Sequence, residues 1–456
     1  MKGRYSYPSE VILNFNVLRS SLTDELLENC AKESGFKRRN SKITPSIFID
    51  MLLYCASLNT GKYSLSQTGA YSFETFGVYA SKQSIDERFN VSAQSFVKSI
   101  LSHLIANYIS ISLEESYLSH FERVRIKDST KFILPDFLKE YYRGAGGNVK
   151  TSKAGISIQF EYDIKSASIV ELVLTDGTRN DITDAKESLD CIGSGDLIIR
   201  DLGYCSLAVL EGIKQREAFF IYRLMPSLSV FDFHGEEINF KRIYEKMRKY
   251  SIPYLEMIVY IGNKGRVMTR LCISLASEKA YNQRLNKLKK ANQRRKDNIS
   301  ENSKLRFKLN LFITNVPAYI LSAKDIQDLY HIRWQIELIF KQWKSTCGIH
   351  QIPTMKVYRF LCVFYAKLIL ILTCSALANL LNAYYYHKNK KLLSIHKCMR
   401  TLWNNFGVLR IVIKKEEKEA YKNFRKLIDK VSANHCLERK NKKLSYIDLF
   451  IRFTES

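Results

Sequence analysis

The spacing of hydrophobic residues divides the chain into regions that predict different secondary structure. Residues 1–115 repeat apolar positions every three to four residues, and Ser/Thr or Pro starts precede segments such as Ser21–Ser34 and Pro45–Ser57, which is typical of helices. From Phe121 the pattern changes to short alternating or continuous apolar runs, which predicts strands. Residues 386–456 return to a basic, helical pattern. The sequence thus predicts a mixed α/β centre between helical ends.

The central strands carry two aspartates at unusual places. Asp128 stands where the alternating run Arg123–Pro135 calls for an apolar residue, and such local inconsistencies are often functional. Asp201 ends the short buried run Asp196–Asp201, and open α/β sheets bind ligands beyond the carboxyl ends of their strands. The alternative for Asp201 is an ordinary role in capping the next helix or in stabilising the turn. The predicted order is three antiparallel strands, helix, strand, helix and strand.

A later segment, Ala323–Lys344, has the spacing of an amphipathic helix with one chemically unusual face. At about 100° per residue, Tyr330, Arg333, Glu337 and Lys344 fall within an arc of roughly 60°, with Lys341 beside them. The apolar residues Ile332, Ile336, Ile339 and Trp343 gather on the opposite side, as in a helix that packs on a core. The simpler interpretation of the polar face is a solvated surface with ion pairs at helical spacing.

The spacing Tyr-x2-Arg-x3-Glu-x6-Lys in this helix resembles the YREK signature of DDE-type insertion-sequence transposases, in the branch known as the insertion-sequence-four group. The resemblance implies a ribonuclease H-like catalytic core, with Asp128, Asp201 and Glu337 as catalytic and metal-binding residues. It also implies that Tyr330, Arg333 and Lys344, with Lys341 nearby, contact the DNA strand. The family carries a mostly β insertion before the glutamate, and residues 224–306 fit that position. A relative uses a tryptophan from this insertion to hold a flipped base, but residues 224–306 contain no tryptophan.

The chemistry expected of three carboxylates is metal-dependent cleavage of a phosphodiester. Two Mg²⁺ ions about 4 Å apart activate the nucleophile and stabilise the leaving oxygen. Mg²⁺ prefers oxygen ligands and retains much of its water, so neither His nor Cys is required. We therefore expect two Mg²⁺ ions in each active site, with Mn²⁺ as a substitute.

The charge balance supports a nucleic-acid partner. The 456 residues contain 71 Lys and Arg against 45 Asp and Glu, a net charge of +26, and such an excess favours a polyanion. Arg294, Arg295 and Lys296 lie in a basic run that either contacts phosphates or is simply a solvated helix. Lys82 and Arg88 lie in the second half of Ser64–Asn90, whose pattern is compatible with a DNA-binding helix-turn-helix. It is equally compatible with a helical pair that binds nothing.

The remaining composition predicts an intracellular protein. The ten scattered cysteines show neither zinc nor disulfide spacing, and we expect free thiols in a reducing cytosol. The N-terminus lacks a signal-peptide pattern. Phe360–Ala383 approaches the length of a membrane span, but Lys367 lies inside it, so a buried core helix is the preferred interpretation. The expected location is the bacterial cytoplasm, with nucleoid association when the protein is bound to DNA.

The sequence as a whole predicts a cut-and-paste DNA transposase. The reaction implied by the resemblance is hydrolysis at terminal inverted repeats of double-stranded DNA, followed by strand transfer to target DNA within a dimeric synaptic complex. The alternatives are an inactive or domesticated DNA-binding protein on the same fold and a related nuclease. The predicted regions are a helical DNA-binding region (1–115), the first part of the core (116–223), the β-rich insertion (224–306), the second part of the core (307–385) and a helical C-terminal region (386–456).

Overall fold

A mixed β-sheet forms the centre of the fold. The computed structural model describes residues 9–58, 64–107, 118–145, 153–166, 168–262, 267–295, 301–389, 391–414 and 417–436. Within these residues nine strands form one sheet in the order β3-β2-β1-β4-β5-β9-β8-β7-β6. The strands are β1 (Val124–Ile133), β2 (Gly155–Asp163), β3 (Ser168–Asp176), β4 (Leu197–Arg200), β5 (Phe219–Arg223), β6 (Val230–Phe231), β7 (Tyr254–Ile261), β8 (Val267–Leu275) and β9 (Leu309–Thr314).

The pairing of the first five strands follows the predicted order. β1 pairs antiparallel with β2, and β2 pairs antiparallel with β3. On its other side β1 pairs parallel with β4, and β4 pairs parallel with β5. The carboxyl ends of the parallel strands β1, β4 and β5 therefore lie at the same end of the sheet. The predicted mixed α/β class is confirmed, and these strands place Asp128 and Asp201 on adjacent segments.

Helices cover both faces of the sheet. Eleven described α-helices follow β3 in the chain: α7 (Asp181–Glu187), α8 (Leu207–Gln215), α9 (Phe240–Lys249), α10 (Glu278–Arg295), α11 (Glu301–Phe307), α12 (Ala323–Ile332), α13 (Trp334–Ser345), α14 (Val357–Asn389), α15 (Ile395–Trp403), α16 (Phe406–Lys414) and α17 (Glu417–Asn434). Alternate residues of β4 face opposite ways. Ile198 belongs to the hydrophobic cluster that contains α8, whereas Ile199 belongs to the cluster that contains α12, α13 and α14.

The N-terminal region is helical, as predicted. Its described helices are α1 (Ser9–Ser20), α2 (Asp24–Glu33), α3 (Pro45–Ser57), α4 (Leu65–Phe76), α5 (Lys82–Asp86) and α6 (Val91–Ala106). Gly77 ends α4 with a φ of 68°, a left-handed conformation that glycine adopts without strain. The predicted helix-turn-helix pair corresponds to α4 and α5, but α5 has only five residues. An element of about one and a half turns is short for a recognition helix.

The region between β5 and β9 is more helical than expected. Residues 224–306 were predicted as a mostly β insertion, but their described part has helices of 10, 18 and 7 residues and strands of 2, 8 and 9. β8 pairs with β9 and β9 pairs with β5, so the insertion extends the core sheet. The basic run forms much of α10 and α11, because its lysines, arginines and asparagines lack the β-branched alternation of a strand.

The long apolar helix α14 is buried, as predicted. It contains the one segment of the described residues, Val357–Tyr386, that is long and apolar enough to cross a membrane, and this segment is mostly buried inside the protein. Lys367 lies within it, and its Nζ donates to the carbonyl oxygen of Gly348 at 3.0 Å. Burial lowers the pKa of Lys367 to about 8. Phe364 on α14 contacts Phe132 of β1, so this helix supports the strand that carries Asp128.

The two ends of the chain pack together around α14. The ring of Phe15 stacks on Phe424 with centroids 4.6 Å apart, and Arg410 Nε donates to the buried Asp50 at 2.9 Å. All ten cysteines are free thiols, and eight of them are buried, as expected from their scattered positions. The helical terminal regions therefore share one hydrophobic core with the α13 and α14 side of the sheet.

Candidate active site

The parallel pairing of β1 and β4 brings the two predicted catalytic aspartates side by side. Lys127 of β1 is the register partner of Arg200 of β4. Asp128 directly follows Lys127, and Asp201 directly follows Arg200. The Asp128 carboxylate is only 22% exposed and accepts the backbone N–H of Ser129 at 2.8 Å. Burial raises the pKa of Asp128 to about 6.

The predicted single helix over Ala323–Lys344 is two helices. α12 ends at Ile332 and α13 begins at Trp334, with Arg333 between them. The Arg333 N–H donates to the Tyr330 carbonyl at 3.2 Å, and the Ile336 N–H donates to the Arg333 carbonyl at 3.2 Å. These three-residue bonds make a locally tighter turn. The prediction of one continuous helix was wrong at this point, because periodicity does not distinguish a single tight turn from an unbroken helix.

The signature residues nevertheless converge on the aspartates. The Arg333 guanidinium lies between two carboxylates, with Nη2 2.6 Å from Glu337 Oε1 and Nη1 3.4 Å from Asp128 Oδ2. The Tyr330 hydroxyl donates to Asp201 Oδ1 at 3.2 Å. Arg333 thus bridges the carboxylates of β1 and α13, and Tyr330 binds the carboxylate that follows β4.

The opposite face of this segment is buried, as the pattern predicts. Ile332, Ile336 and Trp343 are at most 2% exposed, and Ile339 packs against the same core. Trp343 makes an edge contact with Phe160 of β2, at a centroid distance of 5.1 Å. Because Phe160 is the register partner of Asp128, this packing fixes α13 beside the strand position that carries the aspartate.

The lysines lie on the open side of the site. A depression of about 600 Å³ is lined by Asp128, Glu337, Lys341, Lys344 and His350, among others. Lys341 is exposed and Lys344 is half-buried. Two lysines therefore place positive charge on the open side of the depression, beside the carboxylates. This charge suits the approach of a phosphate backbone.

The chemical type of the acidic side chains, but not their spacing, suits a divalent metal ion. Carboxylates are the oxygen ligands that Mg²⁺ prefers. Within the described residues no three His, Cys, Asp or Glu side chains are close enough together to hold an ion. The positively charged Arg333 guanidinium lies between Asp128 and Glu337. It takes the place that a metal ion bound by these two carboxylates would occupy.

Sequence reasoning did not identify Arg223. It ends β5, and its guanidinium carbon lies 5.6 Å from the ring centroid of Tyr330; Arg333 lies 5.9 Å from the same centroid. Tyr330 therefore has two cationic neighbours, each within the range of a cation–π interaction. The available signal was its position, because Arg223 ends a strand parallel to β4, whose carboxyl end leads into Asp201.

The weaker DNA-contact candidates lie elsewhere. Lys82 is exposed on α5. Arg88 is partly buried and donates to Ser41, and burial, with a contribution from the nearby Arg39, lowers its pKa. Arg294 and Arg295 end α10, and Lys296 lies outside the described residues. The hydrogen bonds and ion pairs of the described residues do not join Lys82 or Arg88 to the three carboxylates.

This fold and site define a class of enzyme. Residues 119–372, more than half of the chain, match the family model described as the transposase DDE domain. The chain therefore belongs to the DDE transposases, enzymes that act on DNA and generally use divalent metal ions.

Full-length relatives agree with this assignment. The chain is 32% identical to the transposase for insertion sequence element IS231B of Bacillus thuringiensis subsp. berliner, over 95% of each chain. It is 31% identical to the IS231C transposase of the same organism, over 97% of this chain and 96% of the relative. It is 27% identical to the IS1151 transposase of Clostridium perfringens, over 92% and 93%. The predicted transposase function is confirmed.

Proposed function

We propose that Asp128, Asp201 and Glu337 form the active site for cut-and-paste transposition, with two Mg²⁺ ions and with Mn²⁺ as a substitute. The observation that carries this proposal is that Tyr330 binds Asp201 while Arg333 binds both Asp128 and Glu337. The reaction is hydrolysis at terminal inverted repeats, followed by transfer of the cut end to target DNA. Divalent ions supply activation of the attacking oxygen and stabilisation of the leaving oxygen.

Arg333 has two roles in this proposal. In the DNA-free protein it neutralises Asp128 and Glu337, whose mutual repulsion is otherwise unfavourable. A DNA phosphate offers the guanidinium two oxygens in a bidentate arrangement. When Arg333 binds the phosphate, the carboxylates become free to hold cations. DNA binding therefore increases the affinity of the site for metal. Arg333 both positions the DNA strand and controls when the carboxylates bind metal ions.

The other signature residues act around this exchange. The Tyr330 hydroxyl orients Asp201 through its hydrogen bond, and its ring lies near both Arg223 and Arg333. Lys344 and Lys341 attract the phosphates on the open side of the depression, since a lysine ammonium acts as a point charge. In this proposal Arg333, Lys341 and Lys344 contact the DNA strand, whereas Tyr330, which is 6% exposed, acts through Asp201.

The partners follow from the same chemistry. The substrates are double-stranded DNA with terminal inverted repeats and a target duplex, and two protein molecules pair the ends in a synaptic complex. The N-terminal helical region, with Lys82 and Arg88, contributes DNA contacts outside the catalytic centre, and the basic end of α10 contributes others. The protein works on nucleoid DNA in the cytoplasm.

The experiment that tests this function uses labelled DNA that carries the element's end and a second unlabelled duplex. The wild-type protein cuts the end in Mg²⁺ and joins it to the second duplex. Glu337→Ala binds the same DNA but neither cuts nor joins it, whereas Glu245→Gln, which changes an exposed glutamate on α9, behaves as wild type. Full cleavage by Glu337→Ala would contradict the assignment. Cleavage by the wild type without joining would instead identify a nuclease.

A further inference from the structure

A row of charged side chains crosses the sheet on the face opposite Asp128. Glu171 of β3, Glu161 of β2, Lys127 of β1 and Arg200 of β4 are successive register partners across four strands. Successive residues of a strand face opposite sides, so Lys127 and Arg200 point away from the active site while Asp128 and Asp201 follow them. Each predicted catalytic aspartate is therefore preceded by a buried cation.

Glu161 lies at the centre of this row. Its two oxygens accept from Arg125 at 3.1 and 2.9 Å, and Oε1 also accepts from Arg200 Nη2 at 2.8 Å. Lys127 Nζ lies 3.9 Å from Oε2 and is also paired with Asp184 at 2.7 Å. The side chains of Glu161, Arg125, Lys127 and Arg200 are all fully buried.

The charge on Glu161 is retained in spite of its burial. Burial alone would raise its pKa, but Arg200, Arg125 and Lys127 together lower the pKa to about 2. Apolar side chains of similar volume would often hold such a position as well as an ion pair does. A directional network differs from apolar packing because each charged group has a fixed partner, and this restricts the strands to one register.

We propose that Glu161 is a positioning residue for the active site, because its salt bridges hold β1 and β4 in the register that sets Asp128 and Asp201 side by side. The inference rests on the proposed function, since it assigns Glu161 a role through the two aspartates. Glu161 does not touch the reacting atoms. It acts through Lys127 and Arg200, each one peptide away from an aspartate.

The test compares metal binding with stability in folded variants. Glu161→Gln removes the charge and keeps the shape, and the double variant Glu161→Met/Arg200→Met replaces the ion pair by apolar side chains of similar length. Asp50→Asn is the matched control, because it removes a buried carboxylate from the Asp50–Arg410 pair. Each protein is assembled on inverted-repeat DNA, and Mn²⁺ binding is titrated by electron paramagnetic resonance, alongside thermal unfolding.

We expect both Glu161 variants to bind Mn²⁺ about 10- to 100-fold more weakly than wild type, the range typical of changes in residues that orient metal ligands. Asp50→Asn is expected to lose stability but to keep wild-type Mn²⁺ affinity. Wild-type Mn²⁺ affinity in the folded Glu161→Met/Arg200→Met variant would overturn the inference. An equal loss of Mn²⁺ affinity in Asp50→Asn would also overturn it. If the wild-type complex binds no Mn²⁺ that depends on Asp128, Asp201 and Glu337, the proposed function itself fails.

Discussion

Arg333 Nη2 lies 2.6 Å from Oε1 of Glu337, four residues further along the chain. The same guanidinium reaches Asp128 on β1, so Arg333 occupies the space between two carboxylates that are proposed to bind metal. A hydrogen bond between charged groups contributes about 1.5–3 kcal/mol. A metal ion that binds the DNA-free protein must displace this interaction, which makes metal affinity depend on where Arg333 is bound.

The first prediction follows from this competition. Arg333→Met removes the cation but keeps a long side chain, so the DNA-free protein is expected to bind Mn²⁺ at least about tenfold more tightly than wild type. The same variant is expected to lose DNA cleavage, because it has no guanidinium for the phosphate. Paramagnetic resonance titration measures the first effect, with Arg216→Met as the control at an exposed ion pair with Asp190. Equal or weaker Mn²⁺ binding in Arg333→Met would contradict the competition.

The hydrogen bond between Tyr330 and Asp201 gives a second prediction. Tyr330→Phe removes the hydroxyl that donates a hydrogen bond to Asp201 at 3.2 Å, and it keeps the ring beside Arg223. A net contribution of about 1 kcal/mol corresponds to a roughly fivefold fall in the cleavage rate. Single-turnover cleavage measures this effect, with Tyr319→Phe as the control because Tyr319 is 88% exposed. An unchanged rate would show that the hydroxyl does not orient Asp201.

Much of this arrangement was predictable from the sequence, and the missing parts have physical reasons. The alternation around Asp128 and the buried run before Asp201 predicted the strands, and helical spacing predicted the polar and apolar faces around Glu337. The turn at Arg333 was not predictable, because its dihedral angles remain helical and the apolar spacing continues through it.

The buried charges on the other face of β1 were also missed. Alternation placed Arg125 and Lys127 opposite Asp128, where a charged side chain ordinarily indicates solvent. In the structure both are fully buried, because segments distant in sequence supply the opposite charges. Glu161 and Asp196 pair with Arg125, and Glu171 and Asp184 pair with Lys127. A one-dimensional pattern contains no information on such long-range partners.

Acid stability provides a third prediction. The pKa of Glu161 is about 2 in the folded protein, below the ordinary value of about 4.3 for a glutamate in an unfolded chain. The ionised form therefore stabilises the fold above about pH 4.3, and this contribution is lost as the pH falls toward 2. Chemical unfolding at pH 6, 4 and 3 is expected to show a smaller dependence on pH in Glu161→Gln than in wild type. The same slope in both proteins would show that Glu161 is not held as an anion.

The lysines on the open side of the site give a fourth prediction. Lys344→Ala and Lys341→Ala are each expected to weaken binding of inverted-repeat DNA and to reduce the slope of log affinity against log salt by about 1, the value for loss of one phosphate contact. Lys430→Ala is the control, because Lys430 lies on α17 and donates to Asn405. Fluorescence anisotropy at several salt concentrations gives the slopes. Slopes identical to wild type would show that these lysines do not contact DNA phosphates.

The most direct test of the central claim is metal binding by the DNA complex when all three carboxylates are neutral. The variant Asp128→Asn/Asp201→Asn/Glu337→Gln keeps the shape of each side chain, and it is compared with wild type on the same inverted-repeat DNA by Mn²⁺ titration with paramagnetic resonance. We predict that wild type binds two Mn²⁺ ions that the triple variant does not bind, while both proteins bind the DNA. Equal Mn²⁺ binding by the two complexes would show that the metal site lies elsewhere.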